Sequence, residues 1–183
     1  ARSFFEDIET DSTASTQQKK QSGNYWDTFT SLSFDLDKRN QKFKTTDGYR
    51  SSFTTDIPLI TDTNTLTNKY VYNFYSELYE NNVSNFSLFI KSAKSLTNED
   101  VKLSERLYIP GSRLRGFESG KIGPKDGGDF IGGNYITSLN IQTTLPQILE
   151  NSQNIDFVLF FDAANVWGVD YSSTIDDGSE IRS

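Results

Sequence analysis

From Tyr25 onward, apolar and polar residues alternate with a period of two, interrupted by short polar connections. Leu32, Phe34 and Leu36 fall on one side, with Ser31, Ser33 and Asp35 on the other. Successive side chains of an extended chain point to opposite faces, so this spacing predicts a strand with one apolar face. Next, Tyr49, Phe53 and Ile57 oppose Arg50, Ser52 and Asp56, until Pro58 removes a ladder donor. Tyr70, Tyr72, Phe74 and Leu78 then alternate with Asn73, Tyr75 and Glu77, and Phe86, Leu88 and Ile90 with Ser87 and Lys91. Two further strands carry Tyr135, Thr137, Leu139 and Ile141 against Ser138, Asn140 and Gln142, then Ile155, Phe157, Leu159 and Phe161 against Asp156, Phe160 and Asp162. The pattern predicts four strands in 24–94 and two in 133–168, with turns at Thr46-Asp47-Gly48 and Glu80-Asn81-Asn82 and a connection from Pro146 through Asn151-Ser152-Gln153.

The remaining segments are expected as loops: polar residues 1–23, a Gly-rich stretch at 95–132 and an acidic tail at 169–183. Alternation alone fits a soluble β-sandwich as well as an up-and-down barrel. Two features favour a transmembrane barrel. A sandwich has little use for a loop as long as 95–132 without structure of its own. Its outward face would also rarely show so many aromatics. Composition agrees: the chain is only 34% hydrophobic yet 14% aromatic, with 14 Phe and 9 Tyr, the mixture of strands that face lipid on one side and a wet lumen on the other. No run of about 18 apolar residues predicts a helical span. On this reading Leu32, Phe34, Phe74, Leu139, Leu159 and Phe161 face lipid, while Ser33, Glu77, Gln142 and Asp162 face the lumen. An even strand count puts both chain ends on the long-loop rim, which is the extracellular one. Residues 1–7 are quickly acidic and do not read as a signal peptide, so the chain is expected to be part of a longer precursor.

Charge and residue types narrow the function. A net charge of −7 without a basic patch argues against nucleic acid. With no His and no Cys, the usual nucleophile–base pairs and soft metal sites cannot be assembled, which leaves carboxylate chemistry as the open enzymatic route. Asp176-Asp177 reads as a solvated loop, so no metal and no cofactor are expected.

The most distinctive stretch is 113–134, RLRGFESGKIGPKDGGDFIGGN. Asp162 lies among Val158, Leu159, Phe160 and Phe161, where an unpaired carboxylate would be costly. A guanidinium delivered by the long loop is its natural partner, and a two-pronged pair with Arg115 would pin the loop inside a barrel. Gly116 would permit a tight turn behind the arginine, and Phe117 would wedge the loop tip against the wall. Gly132 and Gly133, followed by Asn134, suit a close approach of the loop end to the strand rim. Trp26, Tyr25 and Trp167 suit an interfacial aromatic girdle.

Leu114-Arg115-Gly116-Phe117, Ile122-Gly123-Pro124, Gly132-Gly133-Asn134 and Phe161-Asp162 with Val166-Trp167 resemble, in order and spacing, the bacterial surface antigen barrel family. The resemblance runs from about Tyr25 to Trp167. It implies a sixteen-stranded outer-membrane barrel of a Gram-negative bacterium, preceded by periplasmic domains, of which this chain holds the eighth to thirteenth strands. It also implies that the long loop is the sixth extracellular one and folds back into the lumen. The loop arginine, here Arg115, would meet acids on the two following strands; those positions hold Gln142, in place of the usual glutamate, and Asp162. Ala164 stands where the family usually has glycine. The implied activity is that of the central subunit of the outer-membrane β-barrel assembly machinery, non-enzymatic, with unfolded β-barrel clients, accessory assembly lipoproteins and outer-membrane lipid as partners. A translocation or secretion pore of the same superfamily shares the loop motif, and a soluble binding module remains the alternative from another class.

Overall fold

The computed structural model describes residues 1–79, 82–145 and 157–170. Its main element is one antiparallel sheet. The chain runs through β1 (Arg2–Ile8), a short helix α1 (Thr16–Lys19), β2 (Gly23–Asp37), β3 (Gly48–Thr61), β4 (Thr65–Tyr79) and β5 (Asn82–Ser95). After the long loop, which holds the two-residue strands β6 (Lys125–Asp126) and β7 (Asp129–Phe130), come β8 (Tyr135–Thr144) and β9 (Val158–Trp167). The strand order β1-β2-β3-β4-β5-β8-β9 follows the chain, so each large strand pairs with its neighbour in sequence and only the long loop interrupts the meander. This is the up-and-down wall of a barrel, open at β1 and β9 among the described residues.

Register fixes the two faces. Asp35 lies opposite Ser52, Arg50 opposite Asn73, Asn73 opposite Ser87, Ser87 opposite Asn140, and Asn140 opposite Asp162. Directly paired residues share a face, so one polar stripe crosses the sheet. The other face carries Trp26, Leu32, Phe34, Leu36, Phe53, Phe74, Phe86, Ile90, Ile141, Leu159 and Phe161, all exposed. Leu139, paired with Ala163, belongs to this outward face, while Ser33, Glu77 and Gln142 fall on the inward one. An apolar surface of that extent is a lipid contact rather than a solvated one. Ile155 and Asp156 lie outside the described residues, as do the turn at Glu80-Asn81, the 146–156 connection with Pro146 and Asn151-Ser152-Gln153, and the 171–183 tail with Asp176-Asp177.

The core lies between the inward face and the long loop. Phe89, Ala93, Ile136, Ala164 and Val166 from the wall pack with Val101, Leu107, Ile109 and Leu114 from the loop, flanked by Val71 and Ile122. Full burial of such a side chain contributes about 1.5–3 kcal/mol relative to exposure. The loop is therefore held first by apolar contact.

Four expectations need correction. Residues 1–23 are not all loop: β1 pairs along β2 from Arg2 opposite Phe29 to Ile8 opposite Gly23, so the sheet has seven strands among the described residues where six were expected. Its inward residues Phe4, Glu6 and Ile8 mix apolar and charged types, so β1 carries no apolar stripe. Nearby, Ser15 caps α1 by accepting from the Gln18 N–H at 3.1 Å, while the Ser15 N–H donates to Gln18 Oε1 at 2.7 Å. With β1 present the chain starts within the wall, at Arg2 opposite Phe29, and not at the long-loop rim, where residues 9–22 and 168–170 sit. The 95–132 segment also has structure of its own. β5 extends to Ser95, and the loop contains 3-10 turns at Leu103–Glu105 and Gly111–Arg113 and the small β6–β7 hairpin. Finally, Tyr25 is no girdle residue. It is paired with Glu6 on the inward face, whereas Trp26 is exposed outward and Trp167 stacks on Tyr135 with ring centroids 5.8 Å apart.

Candidate functional site where the loop meets the wall

β9 enters the wall with Asp162 on its inward face, beneath the loop. Its side chain is only 3% exposed and accepts four hydrogen bonds. Arg115 supplies two of them through its guanidinium, from Nε to Oδ2 and from Nη2 to Oδ1, each at 2.7 Å. The Arg115 backbone N–H donates a third at 3.1 Å. Asn140, opposite Asp162 on β8, donates the fourth from Nδ2 at 2.8 Å and also donates to the Arg113 carbonyl at 2.8 Å. The Arg115 guanidinium lies 3.7 Å from the centroid of the Phe160 ring, two residues before Asp162 on the same face. Its bond to Gln142 is longer, from Nη1 to Oε1 at 3.4 Å, and correspondingly weak. The hydrogen bonds to Asp162 hold the Arg115 pKa above its ordinary value. Arg115 remains 33% exposed, so one edge of the pair is hydrated.

The residues around the arginine take different parts. Gly116 sits at φ +84 with open space where a Cβ would be, so its role is the left-handed turn alone. Phe117, expected to wedge against the wall, is 42% exposed and lies outside the apolar cluster, which Leu114 joins instead. Arg113 donates to Ser87 Oγ at 2.7 Å and lies 5.0 Å from the centre of the Phe89 ring.

The loop returns to the wall through Gly132, Gly133 and Asn134. Gly133 exchanges both backbone hydrogen bonds with Leu107, at 2.8 and 3.0 Å. A Cβ on Gly133 would meet the Trp167 carbonyl oxygen at 2.6 Å, and one on Gly132 would meet the Leu107 carbonyl oxygen at 2.8 Å. Asn134 donates from its backbone to the Gly168 carbonyl at 2.9 Å and from Nδ2 to Asp170 at 2.7 Å. The junction thus ties the loop's end to both its start and the end of β9.

A second polar cluster was not anticipated from the sequence. Lys102, early in the loop, donates from Nζ to Asp27 Oδ2 at 2.9 Å and to Glu6 Oε2 at 3.1 Å, and lies 4.3 Å above the Tyr25 ring. Lys102 and Asp27 are 3% and 1% exposed. Burial works against the lysine charge, but the hydrogen bonds to Asp27 and Glu6 outweigh it and raise the pKa. Next to it Glu105 accepts from Thr65 at 2.6 Å and Thr63 at 3.2 Å, and burial pushes its pKa up. The signal that marked Asp162, an acid within a strand of aromatic neighbours, was present for Asp27 between Trp26 and Phe29 as well.

Residues 3–183 match the Omp85 superfamily domain. The chain belongs to the Omp85 superfamily. Among solved structures it is similar to BamA from Haemophilus ducreyi lacking POTRA domains 1-3, with a TM-score of 0.66 and 21% identity over 80% of this chain. The chain spans 30% of that BamA chain, and the likeness is one of fold. No curated protein sequence matches it significantly. Omp85 membership and the outward apolar face together place the chain in the outer membrane of a Gram-negative bacterium.

Proposed function

We propose that this chain is the loop-bearing wall of the central subunit of the outer-membrane β-barrel assembly machinery, which folds and inserts other β-barrel proteins. The long-loop rim is then extracellular, with 9–22 and 168–170 at that surface and the 96–134 loop folding inward from it. Arg115, Gly116 and Phe117 form the loop motif, Asp162 and Gln142 its lumen partners, and Gly132, Gly133 and Asn134 the junction to the wall. The observation that carries the reading is the two-pronged Arg115–Asp162 pair on the inward face, which seats the loop inside the wall instead of leaving it over the membrane surface.

No covalent chemistry is required of such a protein. Lipid cannot hydrogen-bond a client's backbone, so a client strand must find its donors and acceptors on protein before it enters the bilayer. A wall braced from inside would hold the rest of the barrel, whose first and last strands lie outside this chain on this reading, in a fixed geometry for that pairing. The partners implied are unfolded outer-membrane β-barrel clients, accessory assembly lipoproteins and the lipid itself.

The test uses the full-length protein in liposomes, given an unfolded β-barrel client and, separately, a soluble passenger polypeptide. Faster folding of the client, slowed by Arg115→Ala, supports the assembly role. Release of the passenger across the bilayer with no gain in client folding would replace it with a translocation pore of the same superfamily.

A further inference from the structure

We infer that Lys102 is a second positioning residue of the loop, independent of Arg115, and that the loop thereby braces the wall from β1–β2 to β8–β9. This goes beyond the assembly role, since it holds equally for a barrel that inserts clients and for one that translocates them.

The argument starts from where the two ionic contacts lie. β1 and β2 form one end of the seven-stranded order, and β8 and β9 form the other. Lys102 joins the loop to the first end through Asp27 on β2 and Glu6 on β1. Arg115 joins it to the second end through Asp162 on β9, with Asn140 of β8 on the same carboxylate. Only thirteen positions of loop separate the two cations, so the loop forms a strut across the inward face between strands that are not neighbours in the sheet.

Lys102 is also the drier of the two. Both members of its pair with Asp27 are almost fully covered, whereas Arg115 is one-third exposed. A buried ion left without its partner is far more costly than a hydrated one. Neighbouring bonds add to the same end: Leu103 N–H donates to Gln21 Oε1 at 2.7 Å, and Ser104 donates to Glu6 at 2.8 Å. Asp27 also accepts from the Thr63 hydroxyl at 2.9 Å, which draws the β3–β4 turn into the contact. The two anchors share no partner residue, so their effects should add.

Hydrogen exchange on the full-length protein in membranes tests this, comparing peptides covering 97–106 and 111–117. Lys102→Met alone should raise exchange in 97–106 and in β1 by on the order of a hundredfold, since it leaves the buried Asp27 without its cation, and Asp27→Asn alone should raise it by less, since Lys102 keeps Glu6. The 111–117 peptide should keep its protection. Arg115→Ala should do the reverse. The Lys102→Met, Asp27→Asn double variant should regain much of the protection, because no charge then remains unpaired in the buried pair. That recovery separates an ionic anchor from simple packing, where the two losses would accumulate. Unchanged exchange in 97–106 for the single variants, or additive losses in the double variant, would overturn the inference. Deprotection of both peptides by either variant would overturn the independence of the two anchors.

Discussion

Replacing Arg115 with alanine removes two charge-assisted hydrogen bonds to Asp162 and the stack on Phe160, while the backbone bond at 3.1 Å and Asn140 at 2.8 Å remain with the carboxylate. Loss of a partner from a fully desolvated pair costs about 3–5 kcal/mol. Arg115 is one-third exposed, so water screens part of that interaction, and two donors still satisfy Asp162. The ionic part therefore comes to about 2 kcal/mol, and the guanidinium on the Phe160 face adds about 0.5–1 kcal/mol. A total near 3 kcal/mol would raise the population of the undocked loop roughly a hundredfold. Arg115→Lys keeps the charge but not the planar fork, and should recover about half of the loss. The assay is tryptic cleavage at Lys121 and Lys125 in intact membranes carrying the full-length protein. Cleavage should be fastest in Arg115→Ala, intermediate in Arg115→Lys and slowest in the parent. Equal rates in all three would remove the pair from loop docking and leave the apolar cluster as its sole support.

Gly133→Ala should disrupt the loop junction, since its Cβ would stand 2.6 Å from the Trp167 carbonyl; overpacking of this kind costs about 1–3 kcal/mol. Gly111→Ala, with open space around the same atom, should leave urea unfolding unchanged, and equal effects of the two would contradict the close approach. Leu32→Arg on the outward face should destabilise the folded barrel by about 2–4 kcal/mol if the site lies near mid-bilayer, whereas Ser33→Arg on the inward face should be tolerated; heat-modifiable gel mobility reads both. Burial raises the Glu105 pKa above its unfolded value, so protonation favours the docked loop. Docking is then strongest below the ordinary carboxylate range and weakens as pH rises through the raised folded value. Glu105→Gln should flatten that profile in a pH series of loop proteolysis, and an unchanged slope would assign it to another group.

The large strands were legible because each turns a mainly apolar face outward. Leu32-Ser33-Phe34 and Leu139-Asn140-Ile141 betray their direction residue by residue, since lipid tolerates little else. β1 was illegible for the opposite reason: Phe4, Glu6 and Ile8 face a mixed loop surface, and only Phe5 marks the outward side. The Arg115–Asp162 contact could be approached from sequence because an acid within an apolar run demands a partner. Asn140 and Lys102 could not be assigned so directly. A neutral amide on a lumen face makes no such demand, and Lys102 is separated from Asp27 by 75 positions, with a partner set fixed only by how β1 curls onto β2. Leu114, on the other side of the arginine, joins the apolar cluster, and Phe117 lies outside it.

The placement of the core has a consequence for the order of assembly. Leu107, Ile109 and Leu114 are covered only when Ile136, Ala164 and Val166 are in place behind them, so the loop and the last two strands complete one another. Both ends of the loop leave the same rim, at Ser95 and Tyr135, so it folds in through the mouth of the wall and needs no threading. Loop closure over so long a stretch is slow before its contacts reward it. The loop and the last two strands therefore form one cooperative unit, in which neither side covers its apolar surface until the other is present.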